Sequence, residues 1–218
     1  MHLLPLVLAA AVILALAGST LAFPSRVYGI DVSQPVSTDS MRCLVNLNLT
    51  YTVVRAWHST GRPDTNAPGT VAAAWAGGMH DVDVYMFCGN PQGQVQDLHT
   101  FLSEHNVRFG MVWLDIEGPG LYWGHDLDAN AQFIQDLISE ARAVGFHLGM
   151  YTSLSQYPGI VGSGTFASDL PLWYADYDGV PSFDDFRPFN GWSHPAIKQF
   201  SDAGSKCGAS YDINWYPA

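Results

Sequence analysis

Residues 111–118 read M-V-W-L-D-I-E-G. The apolar run suits a strand buried on both faces, and it delivers two carboxylates, Asp115 and Glu117, just before Gly118. In an extended chain, residues two apart project to the same side, roughly 6.6 Å apart along the backbone. Both carboxylates are therefore expected on one face of the strand. Charges that close repel, so at least one should keep its proton to a higher pH than a free side chain does. An acid beside an anion is the pairing that glycosidic bond cleavage uses. A D-x-E on its own is more often a solvated strand end or a helix cap, so its meaning depends on what the rest of the chain brings to it.

The elements that must position this pair alternate. Strands are predicted over residues 27–31, 52–57, 82–87 and 111–118, and again over 146–151. Helices are predicted between them over residues 39–47, 71–79, 92–105 and 126–144. The last carries Phe133, Ile134, Leu137, Ile138 and Ala141 at helical spacing and stops at Gly145. Four βα units and a fifth strand in succession imply α/β architecture with parallel strands and helical crossovers. After Tyr151 the rhythm changes. Residues 157–164 are rich in turn formers, residues 180–194 have no helical period, and short strands over 170–175, 196–200 and 211–215 follow one another without helices. With no linker and no internal repeat, the chain reads as a single domain.

In a (β/α) barrel the active site lies where the strands end. Asp31 closes the first predicted strand, Asp115 and Glu117 close the fourth, and Asp212 lies in the last. If the barrel closes, the last strand neighbours the first and the fourth faces them across the mouth, which gathers four acids in one cleft. Rings collect at the same ends, among them Trp57, Tyr85, Phe87, Trp113, Tyr151, Trp173, Tyr174, Tyr177 and Trp215. Aromatic faces stack on the apolar faces of sugars and phenol tips bond hydroxyls, although about half of these rings are expected simply to fill the core. Trp113 shares the parity of Asp115 and is expected to point with it into the barrel.

Composition narrows the partners. The net charge of −11 and the absence of any basic cluster exclude nucleic acid as a partner. The same charge repels anionic cell walls at neutral pH, which favours work in an acidic compartment. Residues 1–22 carry no Asp, Glu, Lys or Arg and hold an apolar run from Leu3 to Leu16. They read as a secretory signal peptide, leaving residues 23–218 as the mature domain with no membrane association and no second spanning segment. Secretion allows one disulfide among Cys43, Cys88 and Cys207, with three pairings open. Asn48-Leu49-Thr50 is a glycosylation sequon. No Cys or His spacing suggests zinc; His80, Asp81 and Asp83 form the best metal candidate, and they are placed before the third strand at the wrong end of the barrel. No metal and no cofactor are expected.

The chain resembles glycoside hydrolase family 25, the Chalaropsis-type muramidases or lysozymes, over nearly all of residues 23–218, and is closest to their secreted eukaryotic branch. The resemblance rests on Y-G-I-D-V-S-Q at 28–34, W-L-D-I-E-G at 113–118, G-M-Y-T-S at 149–153, L-P-L-W-Y-A at 170–175, K-Q-F at 198–200 and Y-D-I-N-W at 211–215. It implies an irregular TIM-like (β/α)5(β)3 barrel. It also implies hydrolysis of the β-1,4 bond between N-acetylmuramic acid and N-acetylglucosamine in bacterial peptidoglycan, by a monomer that is secreted or held in a lysosomal or phagosomal lumen. By the same resemblance Glu117 is the general acid/base and Asp31, Asp115 and Asp212 complete the acidic cluster, while Tyr85, Trp113, Tyr151, Trp173, Tyr174 and Gln199 are candidates for substrate contact. Two departures bear on subsites: Tyr85-Met86-Phe87 where many members have Tyr-His-Phe, and Lys198-Gln199-Phe200 where many have Trp-Gln-Tyr.

On this reading Glu117 is held protonated beside a charged Asp115, and the substrate's own N-acetyl group is preferred over Asp115 as the attacking nucleophile. Two rival readings compete. A chitinase-like glycosidase also ends its fourth strand in D-x-E, but usually carries a further acid where this chain has Trp113. A secreted glycan-binding protein with an inactive site would have no need of a proton donor.

Overall fold

The computed structural model describes residues 26–88 and 93–217 of the 218-residue chain. The expected leader over residues 1–22 lies outside the described residues. Strands β1 (Arg26–Val32), β2 (Leu49–His58), β4 (Asp81–Phe87), β5 (Val112–Asp115), β6 (Leu148–Thr152), β7 (Leu172–Ala175), β8 (Ile197–Lys206) and β9 (Ala209–Pro217) form one ring. The two-residue β3 (Arg62–Pro63) hangs from β2 as a hairpin arm. Pairing from β1 to β2 and on through β8 is parallel, whereas β9 runs antiparallel to both neighbours, β8 and β1, and closes the barrel between them.

Five helices follow the first five barrel strands: α1 (Thr38–Asn46), α2 (Ala67–Gly77), α3 (Gln94–Glu104), α4 (Leu127–Ala143) and α5 (Tyr157–Val161). The expected α/β barrel with five βα units and three further strands is the observed one. The shortest helix, α5, falls where the sequence reads as turns, because Pro158 and Gly159 break the pattern in a five-residue element. Local chemistry sets the other starts. Ser37 accepts from Ser40 N at α1, and Asp126 accepts from Ala129 N at α4.

Alternation along the strands divides the apolar residues into two sets. Ile30, Val54, Val84, Leu114, Ile116 and Met150 point outward and pack with Met41, Leu44, Val71, Leu98, Ile134 and Leu137 of the helices. Tyr51, Val53, Trp113, Tyr151, Trp173 and Ile197 point inward and fill the barrel as a second cluster. This packed interior is a floor for whatever sits at the strand ends. Inside it two glycines are required by close approach. A Cβ on Gly149 would lie 2.3 Å from the Trp113 ring, and one on Gly29 would lie 2.4 Å from Tyr51.

Outside β7 and β8, where helices are missing, the segment between β7 and β8 supplies the cover. Tyr174 packs edge-on against Phe186, Phe186 against Phe189, and Phe189 against Trp192. Lys198 is fully buried beneath this segment, and its Nζ bonds Asp178 at 2.8 Å and Asp185 at 2.9 Å. A disulfide joins Cys43 of α1 to Cys207 at the β8–β9 turn, leaving Cys88 as a buried free thiol. Of the three pairings left open by the sequence, this is the one formed.

Candidate active site

The fourth predicted strand is shorter than expected. It ends at Asp115, and although Ile116 N still bonds Tyr151 O, Glu117 sits beyond the ladder. Gly118 then turns with φ +73°, and Tyr122 packs so closely that a Cβ there would meet its ring at 2.4 Å. Glu117 is held from outside the strand. Trp123 Nε1 donates to its carbonyl at 2.9 Å, and Gln156 Oε1 accepts from the next amide, Gly118 N, at 2.6 Å.

Asp31 is the penultimate residue of β1, and Asp212 faces it directly across the antiparallel β1–β9 pair. Because β9 runs the other way, its fourth residue reaches the same rim that the parallel strands reach with their last. Asp31, Asp115, Glu117 and Asp212 therefore line one cavity of about 120 Å³, together with Tyr85, Tyr151, Trp173, Tyr177 and Gln199. Acids separated by as much as 181 positions in the chain meet in one pocket.

An amide network fixes them. Gln199 Nε2 donates to Asp31 Oδ2 at 2.8 Å and to Asp212 Oδ2 at 3.2 Å, while its Oε1 accepts from the hydroxyls of Tyr151 and Tyr177. Both donors and the acceptor oxygen are thereby occupied. Asn214 is fully buried one register step away, donating from Nδ2 to Asp31 Oδ2 at 2.7 Å and accepting from Trp173 Nε1 at 2.7 Å.

Burial and mutual repulsion raise the acids together. Burial, reinforced by Asp212, pushes Asp31 up to about 7 against the opposing bonds from Asn214 and Gln199. Burial, with Asp202 and Glu117, pushes Asp212 up to about 6. Asp115 is raised well above the usual carboxylate range by burial and by Glu117 and Asp31, and no protein group among the described residues donates to its buried Oδ1. Burial also raises Glu117, but the hydrogen bond from Gln156 opposes it. In the protein without substrate burial pushes both Asp115 and Glu117 towards their protonated forms, which is not the charged Asp115 beside a protonated Glu117 that the sequence suggests.

A family model described as Lysozyme-like protein 1 matches residues 23–200. A probable GH family 25 lysozyme 2 of Dictyostelium discoideum is 45% identical over 197 residues, covering 88% of this chain and 92% of that one. The same organism's probable GH family 25 lysozyme 4 is 47% identical over 193 residues, covering 87% and 90%. The chain belongs to glycoside hydrolase family 25. The fold matches that of a muramidase from Acremonium alcalophilum with a TM-score of 0.70 at 20% identity, over 88% of this chain and 94% of the other.

Against the family pattern, both sequence departures lie off the pocket wall. Met86 points outward into the core between sheet and helices. Lys198 points outward to its two aspartates, leaving Gln199 to face inward. Two proposed sugar contacts are also displaced. Tyr174 follows Trp173 in the strand and so faces the opposite side, where its hydroxyl donates to Asp185. Trp113 points inward as expected but lies in the floor beneath the cavity, donating from Nε1 to Asp83 at 2.8 Å. Tyr85, Tyr151 and Trp173 do line the pocket, and Tyr177 joins them. Gln199 lines it too, with its hydrogen bonds spent on the acids and tyrosines.

The metal candidate is corrected as well. Asp81 and Asp83 lie in β4 itself, and Asp83 accepts from Met111 N and Trp113 Nε1, a structural task. Among the described residues one carboxylate group, Asp176, Asp178 and Asp185, has metal-compatible spacing, and the Lys198 ammonium already sits on two of its members. Sequence reasoning missed Asn214 and Gln156. Asn214 had a signal, since it shares the strand parity of Asp212.

Proposed function

We propose that this protein is a lysozyme that hydrolyses the β-1,4 bond between N-acetylmuramic acid and N-acetylglucosamine in bacterial peptidoglycan, with Glu117 as proton donor. The observation that carries this reading is the convergence of Asp31, Asp115, Glu117 and Asp212 on one ring-lined cavity. Family membership supports it, as do relatives named as lysozymes.

Glu117 is the least enclosed of the Asp115–Glu117 pair and lies at the turn beyond the strand, within reach of a glycosidic oxygen. Asp115 lies deeper. Its carboxyl lines the cavity and, through the oxygen other than the buried Oδ1, offers an acceptor suited to the N–H of a sugar's acetamido group. That bond favours the ionised form of Asp115, so the proton shared by the coupled acids passes outward to Glu117 as the sugar seats. Glu117 then protonates the leaving oxygen while the acetamido carbonyl oxygen, oriented by Asp115, attacks the anomeric carbon. Water, giving a proton to Glu117, opens the resulting ring and restores the enzyme. Asp31 and Asp212, tied together by Gln199, steady the sugar and the charge that develops.

The disulfide between Cys43 and Cys207 supports a site of action in an oxidising compartment, secreted or lysosomal. The deciding experiment is clearing of a bacterial wall suspension by wild type and Glu117→Gln, scanned across pH. Wild type should clear the suspension and release reducing ends, and the variant should fold but lose at least about a thousandfold in rate. A Glu117→Gln enzyme with wild-type rates refutes the assignment.

A further inference from the structure

We propose that Gln156 is a positioning residue for the proton donor, fixing the Glu117 side chain in the pocket and stabilising its ionised form. This rests on Glu117 being that donor.

Beyond Asp115 no strand partner holds residue 117, so something else must keep its carboxyl on target. Gln156, the N-cap residue of α5, reaches across from the turn after β6. Its Oε1 accepts from Gly118 N at 2.6 Å, which settles the orientation of the amide. Nε2 is left facing Glu117 and donates to its Oε2 at 3.5 Å. The same side chain thus grips both the backbone after residue 117 and the carboxylate itself. Its own backbone is tied into the turn, with Gln156 N on Ser153 O and Gly159 N on Gln156 O. With Trp123, six residues on, bonded to the carbonyl, residue 117 and the amide that follows it are held at three points.

The neutral donor matters because burial disfavours the charge on Glu117. Asp115 of β5, Asp31 of β1, Asp212 of β9, Tyr151 of β6 and Tyr177 after β7 all interact with it or crowd the same pocket. Gln156 supplies the opposing effect. Once Glu117 has given up its proton, an N–H already aimed at the carboxylate receives the new charge without rearrangement.

Two variants test this. Gln156→Met keeps the bulk and removes both hydrogen bonds. Gln156→Glu keeps an acceptor for Gly118 N but turns a carboxylate on Glu117. The readout is the pH profile of kcat/KM on soluble wall glycan, with kcat and KM separated and folding checked by thermal melting. Loss of the donor raises the proton affinity of Glu117, so the alkaline limb should move up by about one pH unit in Gln156→Met and further in Gln156→Glu. In both, kcat should fall about tenfold with KM within about twofold. Superimposable profiles overturn the proposal. So does a loss confined to Gln156→Met, which would reduce Gln156 to a backbone brace. Glu117→Gln, run in parallel, separates the two readings: inactive with unshifted Gln156 profiles, it leaves the donor assignment standing and the role of Gln156 refuted; active, it refutes both.

Discussion

Asp31 and Asp212 face each other directly across the antiparallel junction of β1 and β9, and a single amide, that of Gln199, donates to both. Two carboxylates so placed cannot both ionise cheaply, and burial adds to the cost. Evolution of a stable barrel alone would not put them there. The arrangement lowers stability at the pH where both are charged and concentrates protons at the mouth.

The pH dependence of stability follows from the sign of these shifts. Asp31 and Asp212 hold protons in the folded protein up to about 7 and about 6, above the ordinary 3.8 of the unfolded chain. Between those values the folded state binds more protons than the unfolded state, so stability is full below about pH 4 on their account and is lost as pH rises towards about 7. Thermal melting should therefore show Tm falling from about pH 5 to about pH 7.5, and Asp31→Asn, which keeps the shape and can still accept from Gln199 and Asn214, should flatten the fall. A Tm that climbs over this range in wild type, or an unchanged slope in the variant, contradicts the shared-proton picture.

Lys198 makes a separate prediction at the outer face. Partial burial pushes the Asp185 carboxyl up, and the Lys198 ammonium overrides it, bringing it down to about 2. Lys198→Met removes the cation between Asp178 and Asp185 and should cost about 2 kcal/mol, less than a fully buried pair because both carboxylates keep some water. Urea unfolding of Lys198→Met, Asp185→Asn and the double variant should give a coupling of about 1 kcal/mol. Strict additivity would mean that the cover over β7 and β8 is held by its rings alone.

The cysteines offer a chemical test. Cys43 and Cys207 are 164 positions apart, so their bond removes a large share of the unfolded chain's freedom. Replacing both with serine should lower unfolding free energy by about 3 kcal/mol. In the native wild type a thiol reagent should find nothing to react with, since Cys88 is fully buried, and one thiol should appear on denaturation without reductant. Two or three reactive thiols would refute the pairing.

Much of the barrel was legible because buried parallel strands are written as apolar runs, and here those of β1 and β5 stop at acids. The end of β5 was not. Ile116 keeps the outward place that alternation gives it and so extends the apolar run, while the strand itself stops at Asp115 and leaves Glu117 two residues beyond its end. That Tyr174 faces away from the four-acid pocket follows from parity alone: neighbours in a strand face opposite ways, and Trp173 has the inward place. The β8–β9 hairpin reads as two short strands because its outer arms, Ser-Asp-Ala-Gly-Ser-Lys and Ala-Ser, are largely polar and exposed, and the two buried positions, Gly204 and Ala209, are too small to impose an apolar pattern. What Gln199 does depends on register between β8, β9 and β1, and register is invisible until the strands are paired.

The junction of β1 with β9 has a further meaning for biosynthesis. Asp31 belongs to the earliest strand of the barrel and Asp212 to the latest, and the intervening turns of chain must all be in place before the two can meet. A ribosome-bound or proteolytically shortened polypeptide lacking β9 carries the stacking rings, Asp31 and Asp115 with Glu117, yet has an open wall where Asp212 belongs. The four-acid pocket is thus complete only when the ring closes, after β9 has been made, through contacts of long sequence span that form slowly.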